Sequence, residues 1–220
     1  STYNGLRGTS GDGNRTLWNT SISYPLMGSY WFITPKITYS LTHYNDIKHA
    51  RAEIDKSSTR SLPIYSLDTG LIFERNSTVF GRETEQTLEP RLFYAYIPYR
   101  NQRHMPNFDS SSADLNFAEL FTPNKYTGFD RIANTNQLSA VLTTRYIDSG
   151  TGKEWFSATV GQRYYFTDEK VDLYWSNPGK TKNRSDVLAA SQFSLFEGWR
   201  LEGAIQYSTE SVSYTHLTLP

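Results

Sequence analysis

The sequence predicts an all-β protein, built as an antiparallel up-and-down transmembrane β-barrel. Three observations lead to this prediction. Apolar and polar residues alternate with a period of two along most of the chain, the alternating stretches are unusually long, and the connections between them are short at one end and long at the other.

Composition supports a chain with one apolar and one wet surface. Aromatic residues make up 15% of the 220 residues, whereas hydrophobic residues reach only 37% and the mean hydropathy is -0.58. No apolar run approaches the roughly 18 residues of a membrane-spanning helix, which excludes a helical membrane protein. Lys+Arg and Asp+Glu are both 22, so charge gives no reason to expect nucleic acid as a partner. The absence of cysteine excludes disulfides and thiolate metal sites.

Eight stretches carry the alternation. They lie at 17–26, 31–42, 65–74, 88–97, 137–146, 156–166, 186–195 and 199–208. At roughly 10–14 residues they exceed the usual mean strand of about 5–6 residues and reach the ~9–11 that a tilted membrane crossing requires. We therefore predict eight strands or one more.

Each stretch has a ring-bearing face and a small polar face. In the second stretch Trp31, Ile33 and Ile37 alternate with Thr34 and Lys36. The polar face suits a hydrated lumen, and rings near strand ends suit the aromatic girdle of a barrel. The predicted girdle residues are Trp18, Trp31, Tyr39, Tyr94, Tyr96, Tyr146, Phe156, Tyr164, Phe166, Trp199 and Tyr207.

The connections alternate in length. The predicted ones are 27–29, 45–60, 76–82, 98–134, 148–152, 168–183 and 197–198. Short turns at one end and long loops at the other are typical of outer-membrane barrels, whereas a β-sandwich mixes its loop lengths. A soluble sandwich or propeller, with its aromatics buried in a core, remains the alternative at this point.

Several ordered motifs resemble one family. They are QTLEPR at 86–91, YAYIPYRNQ at 94–102, NFDS at 107–110, LF at 120–121, GFDRIANTNQ at 128–137, VGQRYYF at 160–166 and WRLEGAIQY at 199–207. Together they resemble LptD, the LPS-assembly outer-membrane family also called organic solvent tolerance proteins. The correspondence is strong over about 61–208.

The resemblance implies that the chain is an interior piece of a larger barrel. We expect residues 1–210 to form a partial barrel domain without the lateral gate or the periplasmic domain of the family. Residues 211–220 are similar to translated adaptor sequence, and we predict a non-native tail there. Alone, the piece would leave two strand edges open and would not transport LPS.

The function implied by the resemblance is not enzymatic. Members of the family deliver lipopolysaccharide to the outer leaflet of the Gram-negative outer membrane, together with a plug lipoprotein, LptE. The implied partners are therefore an LptE-like plug, lipopolysaccharide, outer-membrane lipids and, through the missing N-terminal domain, periplasmic LPS-bridge proteins. A general porin and a soluble all-β binding module are the alternative functions.

Charged residues on the polar face are candidates for contact with lipopolysaccharide. They are Lys36, Glu89, Arg91, Arg145, Arg163, Arg200 and Glu202. Guanidinium and ammonium groups suit phosphates and carboxylates, and weak contacts would allow transit. The alternative is a set of structural ion pairs between neighbouring strands.

The 98–134 connection is too long for a simple connector, and its six aromatic residues argue against disorder. By resemblance it should fold over or into the lumen, next to the plug. Candidate plug-contacting residues are Arg100, Asp109, Asp130 and Arg131. The alternative is hydrogen bonding within the loop that holds an extracellular cap.

No catalytic, cofactor or metal site is predicted. His43, His49, His104 and His216 lack metal-ligand spacing. The segment 150–153 (GTGK) superficially resembles a phosphate-binding loop, but a strand follows it, so it is predicted to be a hairpin turn.

Overall fold

A computed structural model describes residues 2–8, 11–48, 54–173, 183–196, 199–208 and 212–218. The strands are β1 (Thr2–Gly8), β2 (Gly11–Ser23), β3 (Leu26–Met27), β4 (Trp31–Lys48), β5 (Ser58–Leu71), β6 (Phe73–Val79), β7 (Arg82–Ile97), β8 (Thr135–Asp148), β9 (Glu154–Tyr165), β10 (Val187–Phe196), β11 (Trp199–Tyr207) and β12 (Val212–Thr218). A 3₁₀ turn covers Glu119–Phe121. None of the helical segments described is long and apolar enough to cross a membrane.

The strands form one antiparallel sheet. Its order is β1-β2-β4-β5-β7-β8-β9-β10-β11-β12, while β3 pairs with β4 and β6 pairs with β7. Every strand of the main path pairs with the next one on that path, so the predicted all-β, up-and-down topology is confirmed. Among the described residues the sheet is open, with β1 and β12 at its two ends.

All eight predicted strands are present, but the sheet is larger than predicted. The strand β1 was missed because its sequence, TYNGLRG, contains two glycines and no sustained alternation. The strand β6 was missed because FERNSTV is polar on both faces. The strand β12 lies within the predicted non-native tail, and its backbone pairs with β11; the domain boundary at residue 210 stays a prediction.

Two predicted connections were too long. The predicted loop at 45–60 shrinks to 49–57 because β4 continues to Lys48 and β5 begins at Ser58. The predicted connection at 76–82 is a hairpin closed by two residues with positive φ, Phe80 (50°) and Gly81 (76°), the pattern of a type I′ turn. The side chains at the ends of strands are polar in both places, so the sequence resembles loop.

The alternation of loop lengths is confirmed. The 98–134 loop has the predicted bounds, the turn predicted at 148–152 spans 149–153, and the loop predicted at 168–183 spans 166–186. The turn at 197–198 lies outside the described residues. Because successive connections lie at opposite ends of an up-and-down sheet, the long loops 49–57, 98–134 and 166–186 share one end.

The face that carries the rings, here called the outer face, is exposed. Ile22, Ile37 and Trp199 are 75%, 53% and 62% exposed. Cross-strand pairing places such residues side by side, as in Leu142 opposite Val160. A soluble protein would bury this face. A continuous exposed apolar band is instead what a barrel wall presents to lipid.

The opposite face, here called the inner face, is polar and largely buried. Thr42 and Ser139 are among its buried residues, and the 98–134 loop covers it. Small hydrophobic clusters join loop and sheet, as where Leu120 of the loop contacts Val141 and Leu188 of the wall. The core therefore lies between the inner face and the loop.

A proline of β7 lies where the pairing between β7 and its neighbour is interrupted. Pro90 lies on β7 between Leu88, which pairs with Phe73 of β6, and Arg91, which pairs with Gly70 of β5. Proline has no N–H to give to a sheet ladder. Here the opposing strand is itself interrupted at Ile72, whose N–H bonds to Tyr30 O at 2.8 Å.

The outer face should not tolerate charge. In the full-length protein we expect Leu142→Arg to cost about 2–4 kcal/mol, because it places a guanidinium in the lipid-facing band. The measurement is the fraction of protein with heat-modifiable gel mobility after membrane assembly. Thr143→Arg, one residue along on the inner face, is the matched control and should assemble normally. Equal assembly of both variants would contradict the assignment of the two faces.

Candidate functional site

The site is the inner face together with the loop that covers it. Five residues fasten the two: Arg15 of β2, Tyr44 of β4, Arg60 of β5, and Asp109 and Asp130 of the loop. We call these five the latch. Asp130 and Tyr44 are fully buried, and Arg15 and Arg60 are 3% and 2% exposed. The latch thus joins three strands to one loop. Four of its residues are buried, and Asp109 lies at its exposed edge.

Asp130 is the acceptor at the centre of the latch. Its Oδ1 accepts hydrogen bonds from Arg15 Nη1 at 2.9 Å and from Tyr44 O–H at 2.5 Å. Its Oδ2 accepts the backbone N–H groups of Phe108 and Asp109 at 2.6 and 2.9 Å. Four donors therefore balance the desolvation of a fully buried carboxylate, which would otherwise cost several kcal/mol.

Arg15 also binds the second carboxylate. Its Nη1 lies 2.7 Å from Asp109 Oδ2, and its guanidinium lies 5.5 Å from the ring centroid of Phe129. Burial alone would raise the pKa of Asp109. Hydrogen bonds from the N–H of Phe129 and from Arg15 outweigh that effect and hold the pKa below its usual range. Asp109 is therefore an ionised partner of Arg15 at neutral pH.

Arg60 holds the loop by its backbone. Its Nη1 donates to the Asp130 carbonyl at 2.6 Å and to Gln102 Oε1 at 2.9 Å. Its Nη2 donates to the Phe129 carbonyl at 2.7 Å and to Thr42 Oγ1 at 3.0 Å. One guanidinium on β5 thereby holds the carbonyl groups of the two loop residues that follow Gly128.

Further hydrogen bonds brace the loop internally. Gln102 donates to the Ile132 carbonyl at 2.7 Å and accepts from the Ile132 N–H at 3.2 Å. Arg131 donates to the carbonyls of Met105 and Pro106 at 2.8 and 2.9 Å. Burial lowers the pKa of Arg131. These contacts favour the alternative in which polar loop residues hold a cap.

Gly128 is required by the shape of this turn. Its φ is +72°, and a Cβ there would lie 2.3 Å from the Asp109 carbonyl oxygen. A side chain would therefore be strained twice, by the left-handed backbone and by the close approach. Gly161 of β9 serves a similar purpose, because a Cβ there would lie 2.7 Å from Leu120 Cδ1.

Arg163 fastens the loop at a second place. The sequence predicts that it faces the lumen; it lies on the inner face and is 3% exposed. Its guanidinium donates to the Glu119 carbonyl and, at 3.3 Å, to the Thr122 carbonyl and Ser139 Oγ. Period-two alternation predicts which face a residue occupies, and not whether a distant loop covers it. Contact of Arg163 with lipopolysaccharide stays a prediction.

Arg91 is paired with a carboxylate on the neighbouring strand. Its Nε and Nη2 reach the two carboxylate oxygens of Asp68 at 2.8 and 2.5 Å. Its guanidinium lies 3.8 Å from the ring centroid of Phe121, so the loop covers it on one side. This geometry favours the structural ion pair for Arg91.

Arg145 bridges two carboxylates. It contacts Glu89 Oε1 at 3.0 Å and Glu154 Oε2 at 2.9 Å. These groups remain partly exposed on the inner face, so each pair is worth only about 1 kcal/mol or less. The exposed pair of Arg200 and Glu202 is wider, at 3.7 Å.

Two further predicted candidates, Lys36 and Arg100, are open to solvent. Lys36 is exposed at a cavity of about 420 Å³ between the wall and loop residues Thr122 and Asn124. Arg100 is exposed at the start of the loop. Of the predicted loop residues, the structure brings Asp109, Asp130 and Arg131 together and leaves Arg100 apart.

Sequence reasoning missed four residues that hold the loop: Arg15, Tyr44, Arg60 and Gln102. A usable signal existed for two of them. The inner-face alternation of β4 continues beyond the predicted strand end to Tyr44, and that of β5 begins at Arg60. Their loop partners lie 86 and 70 residues away, and no local pattern encodes that distance.

The polar groups of the site hold the loop to the sheet. Across the described ranges no group of three or more His, Asp or Glu side chains is placed to hold a metal ion. The latch carboxylates are occupied by arginine, tyrosine and backbone donors. The arrangement fixes a loop and leaves a polar, ion-paired surface around it.

An apolar outer face, a polar inner face and a long loop fastened across it define a class of protein, the plugged wall of an outer-membrane type β-barrel. A family model described as "LptD: LPS transport system D" matches residues 3–218. The chain belongs to this family, and the resemblance found in its motifs is confirmed.

Individual relatives agree. The chain is 41% identical over 217 residues to the LPS-assembly protein LptD of Paraburkholderia xenovorans (strain LB400), covering 95% of this chain and 27% of that protein. It is 39% identical over 203 residues to the protein of the same name in Thiobacillus denitrificans (strain ATCC 25259 / T1), covering 92% and 27%. The chain thus spans about a quarter of the length of these relatives.

The latch should depend on the charge of Asp130. We expect Asp130→Asn in the full-length protein to weaken loop docking by about 3 kcal/mol, because it leaves buried Arg15 short of a charged partner. Limited proteolysis within 98–134 is the measurement. Asp114→Asn, an exposed position in the same loop, is the control and should cleave at the wild-type rate. Wild-type cleavage of Asp130→Asn would rule out the latch.

Gly128 offers a test of geometry without charge. We expect Gly128→Ala to destabilise the docked loop by more than about 1 kcal/mol, since both backbone strain and the Asp109 contact oppose it. Gly152→Ala is the control: it has a similar φ of +68° but nothing within 4 Å of its Cβ. The readout is again loop proteolysis, and a loop equally protected in both variants would disprove the close approach.

Proposed function

We propose that this chain forms part of the wall of an outer-membrane LPS translocon, which delivers lipopolysaccharide to the outer leaflet. Membership of the LptD family supports the proposal, as do relatives named LPS-assembly proteins. The observation that carries it is the latched loop. The latch holds a polar loop across three strands of the inner face.

The two faces suit an amphiphilic cargo. The outer face offers apolar contact to outer-membrane lipids, whereas the inner face offers hydrated groups such as Lys36 and the ion pair of Arg145 with Glu89. Paired charges bind a phosphate or carboxylate weakly, because the ligand must compete with the existing partner. Weak, repeated contact allows passage where a tight site would stop it.

The loop is the candidate contact for a plug lipoprotein of the LptE kind. Tyr126 O–H donates to Glu169 Oε1 and to the Val171 carbonyl, both at 2.8 Å, and Lys125 pairs with Glu169. These bonds tie the 98–134 loop to the 166–186 loop. Exposed Arg100 and Phe129 then remain on the surface of a fixed unit, available to a partner.

A general porin is the second candidate, since it shares the apolar outer face and the inward loop. A porin chain closes its own sheet. In the described part of this chain β1 and β12 stand at opposite ends of the strand order, which favours a section of a longer wall.

The experiment uses full-length protein as the sole copy in the cell. After its expression is shut off, newly labelled lipopolysaccharide should stop reaching the surface, while uptake of small solutes stays unchanged. A porin predicts the reverse, with lost uptake and normal surface lipopolysaccharide. Arrival at the surface is measured with an impermeant antibody.

A variant of the latch tests whether this part of the wall takes part in transport. Asp130→Asn should lower surface arrival at a normal level of assembled barrel, and Asp114→Asn should not. Heat-modifiable mobility separates a transport defect from an assembly defect. Wild-type surface arrival in assembled Asp130→Asn would remove the loop from the transport mechanism.

A further inference from the structure

The turn end of the wall carries a projecting hairpin with an open edge. The outer apolar residues of β7 end at Leu88, yet the β6–β7 hairpin continues to its tip at Phe80. The six residues 82–87 of β7 extend about 20 Å beyond Leu88 at ~3.3 Å per residue. Their sequence, RETEQT, is polar, so this part of the hairpin belongs in water.

One edge of this hairpin has no strand beside it. In the described sheet β7 pairs with β8 on one side and with β6 on the other, and β6 pairs with β7 alone. The open edges of β1 and β12 differ from it, because a longer barrel would continue there. On the side away from β7 the neighbouring strand is β4, which begins at Trp31 opposite Leu71. Continuing the barrel at β1 or β12 therefore does not cover the edge of β6.

The turn geometry identifies the free backbone groups. Val79 and Arg82 flank the two-residue turn, so they form a hydrogen-bonded pair, and pairs alternate along the hairpin. The N–H and C=O groups of Glu74, Asn76 and Thr78 therefore point away from β7. All three residues are exposed. They form a template for an added strand.

The charges of the hairpin and the aromatic residue at its tip indicate what kind of segment would bind. Residues 73–88 contain three glutamates and two arginines, and Arg75 is engaged by Gln86 at 2.7 Å. Within the described chain no ion pair involves Glu74, Glu83 or Glu85. Phe80 at the tip is 94% exposed with a φ of +50°, a strained conformation for a bulky residue.

We propose that the free edge of β6 binds an extended, basic peptide segment of a periplasmic protein by β-augmentation. Outer-membrane barrels direct their short turns to the periplasm. The backbone of 74–78 supplies the pairing, the glutamates attract the basic side chains, and Phe80 covers an apolar residue of the segment. The charged flanks keep the edge from pairing indiscriminately.

Residue-resolved hydrogen exchange on the full-length protein tests the proposal. In intact cell envelopes the amides of Glu74, Asn76 and Thr78 should exchange at least about tenfold more slowly than in detergent. In detergent, a seven-residue peptide alternating lysine and threonine should restore protection, and one alternating glutamate and threonine should not. Equal exchange in envelopes and detergent would overturn the proposal.

Matched variants separate the backbone from the side chain. Asn76→Pro removes an N–H that points away from β7, so it should abolish protection of Glu74 and Thr78, whereas Asn76→Ala should keep it. The amides of Arg75 and Ser77 report whether the hairpin remains folded. Phe80→Gly relieves the strained φ, so it should preserve the hairpin and still reduce protection.

If lipid or a second copy of the chain covers the hairpin instead, the exchange measurements differ. Protection in vesicles of phosphatidylethanolamine and phosphatidylglycerol without protein would assign the hairpin to lipid. Protection that rises with protein concentration in detergent would assign it to a second copy. Either result overturns the proposal. Lipopolysaccharide transport does not enter this measurement. Failure of the peptide-binding proposal therefore leaves the proposed transport function untouched, and failure of the transport function leaves the peptide-binding proposal untouched.

Discussion

The structure depends on one buried carboxylate. Asp130 has no exposed surface, so its charge requires donors from every direction, and these come from β2, β4 and the loop itself. Arg60 of β5 completes the arrangement through the Asp130 carbonyl. Satisfying this group fixes where the loop lies, which residues of the inner face remain wet, and which surface is left for a partner.

The outer and inner faces differ in which side chains they expose, because the two faces lie in different surroundings. Apolar side chains such as Ile37 are exposed on the outer face, and polar ones such as Thr42 are buried on the inner face. Either surface would be unfavourable in a small soluble protein. A wall with lipid on one side and a docked polar loop on the other accommodates both.

Much of the wall was readable from the sequence, and the loop contacts were not. Alternation predicted the central strands and their faces, as for Leu142 and Thr143, because side-chain direction in a strand is local. The predicted strands stopped short of Tyr44 and Arg60, because polar strand ends resemble loop. Alternation gave Arg163 the correct face without revealing the distant segment that covers it. The GFDR motif stands out by resemblance, but only the folded structure shows that Gly128 approaches the Asp109 carbonyl.

The reach of the latch along the chain has a kinetic consequence. Arg15 and Asp130 are 115 positions apart, so their contact closes a very long segment, at an entropic cost that rises slowly with its length. Such distant contacts form after local hairpins. Interactions absent from the folding transition state act on the unfolding rate. We therefore expect the latch to leave the speed of assembly nearly unchanged and to prolong the lifetime of the assembled wall.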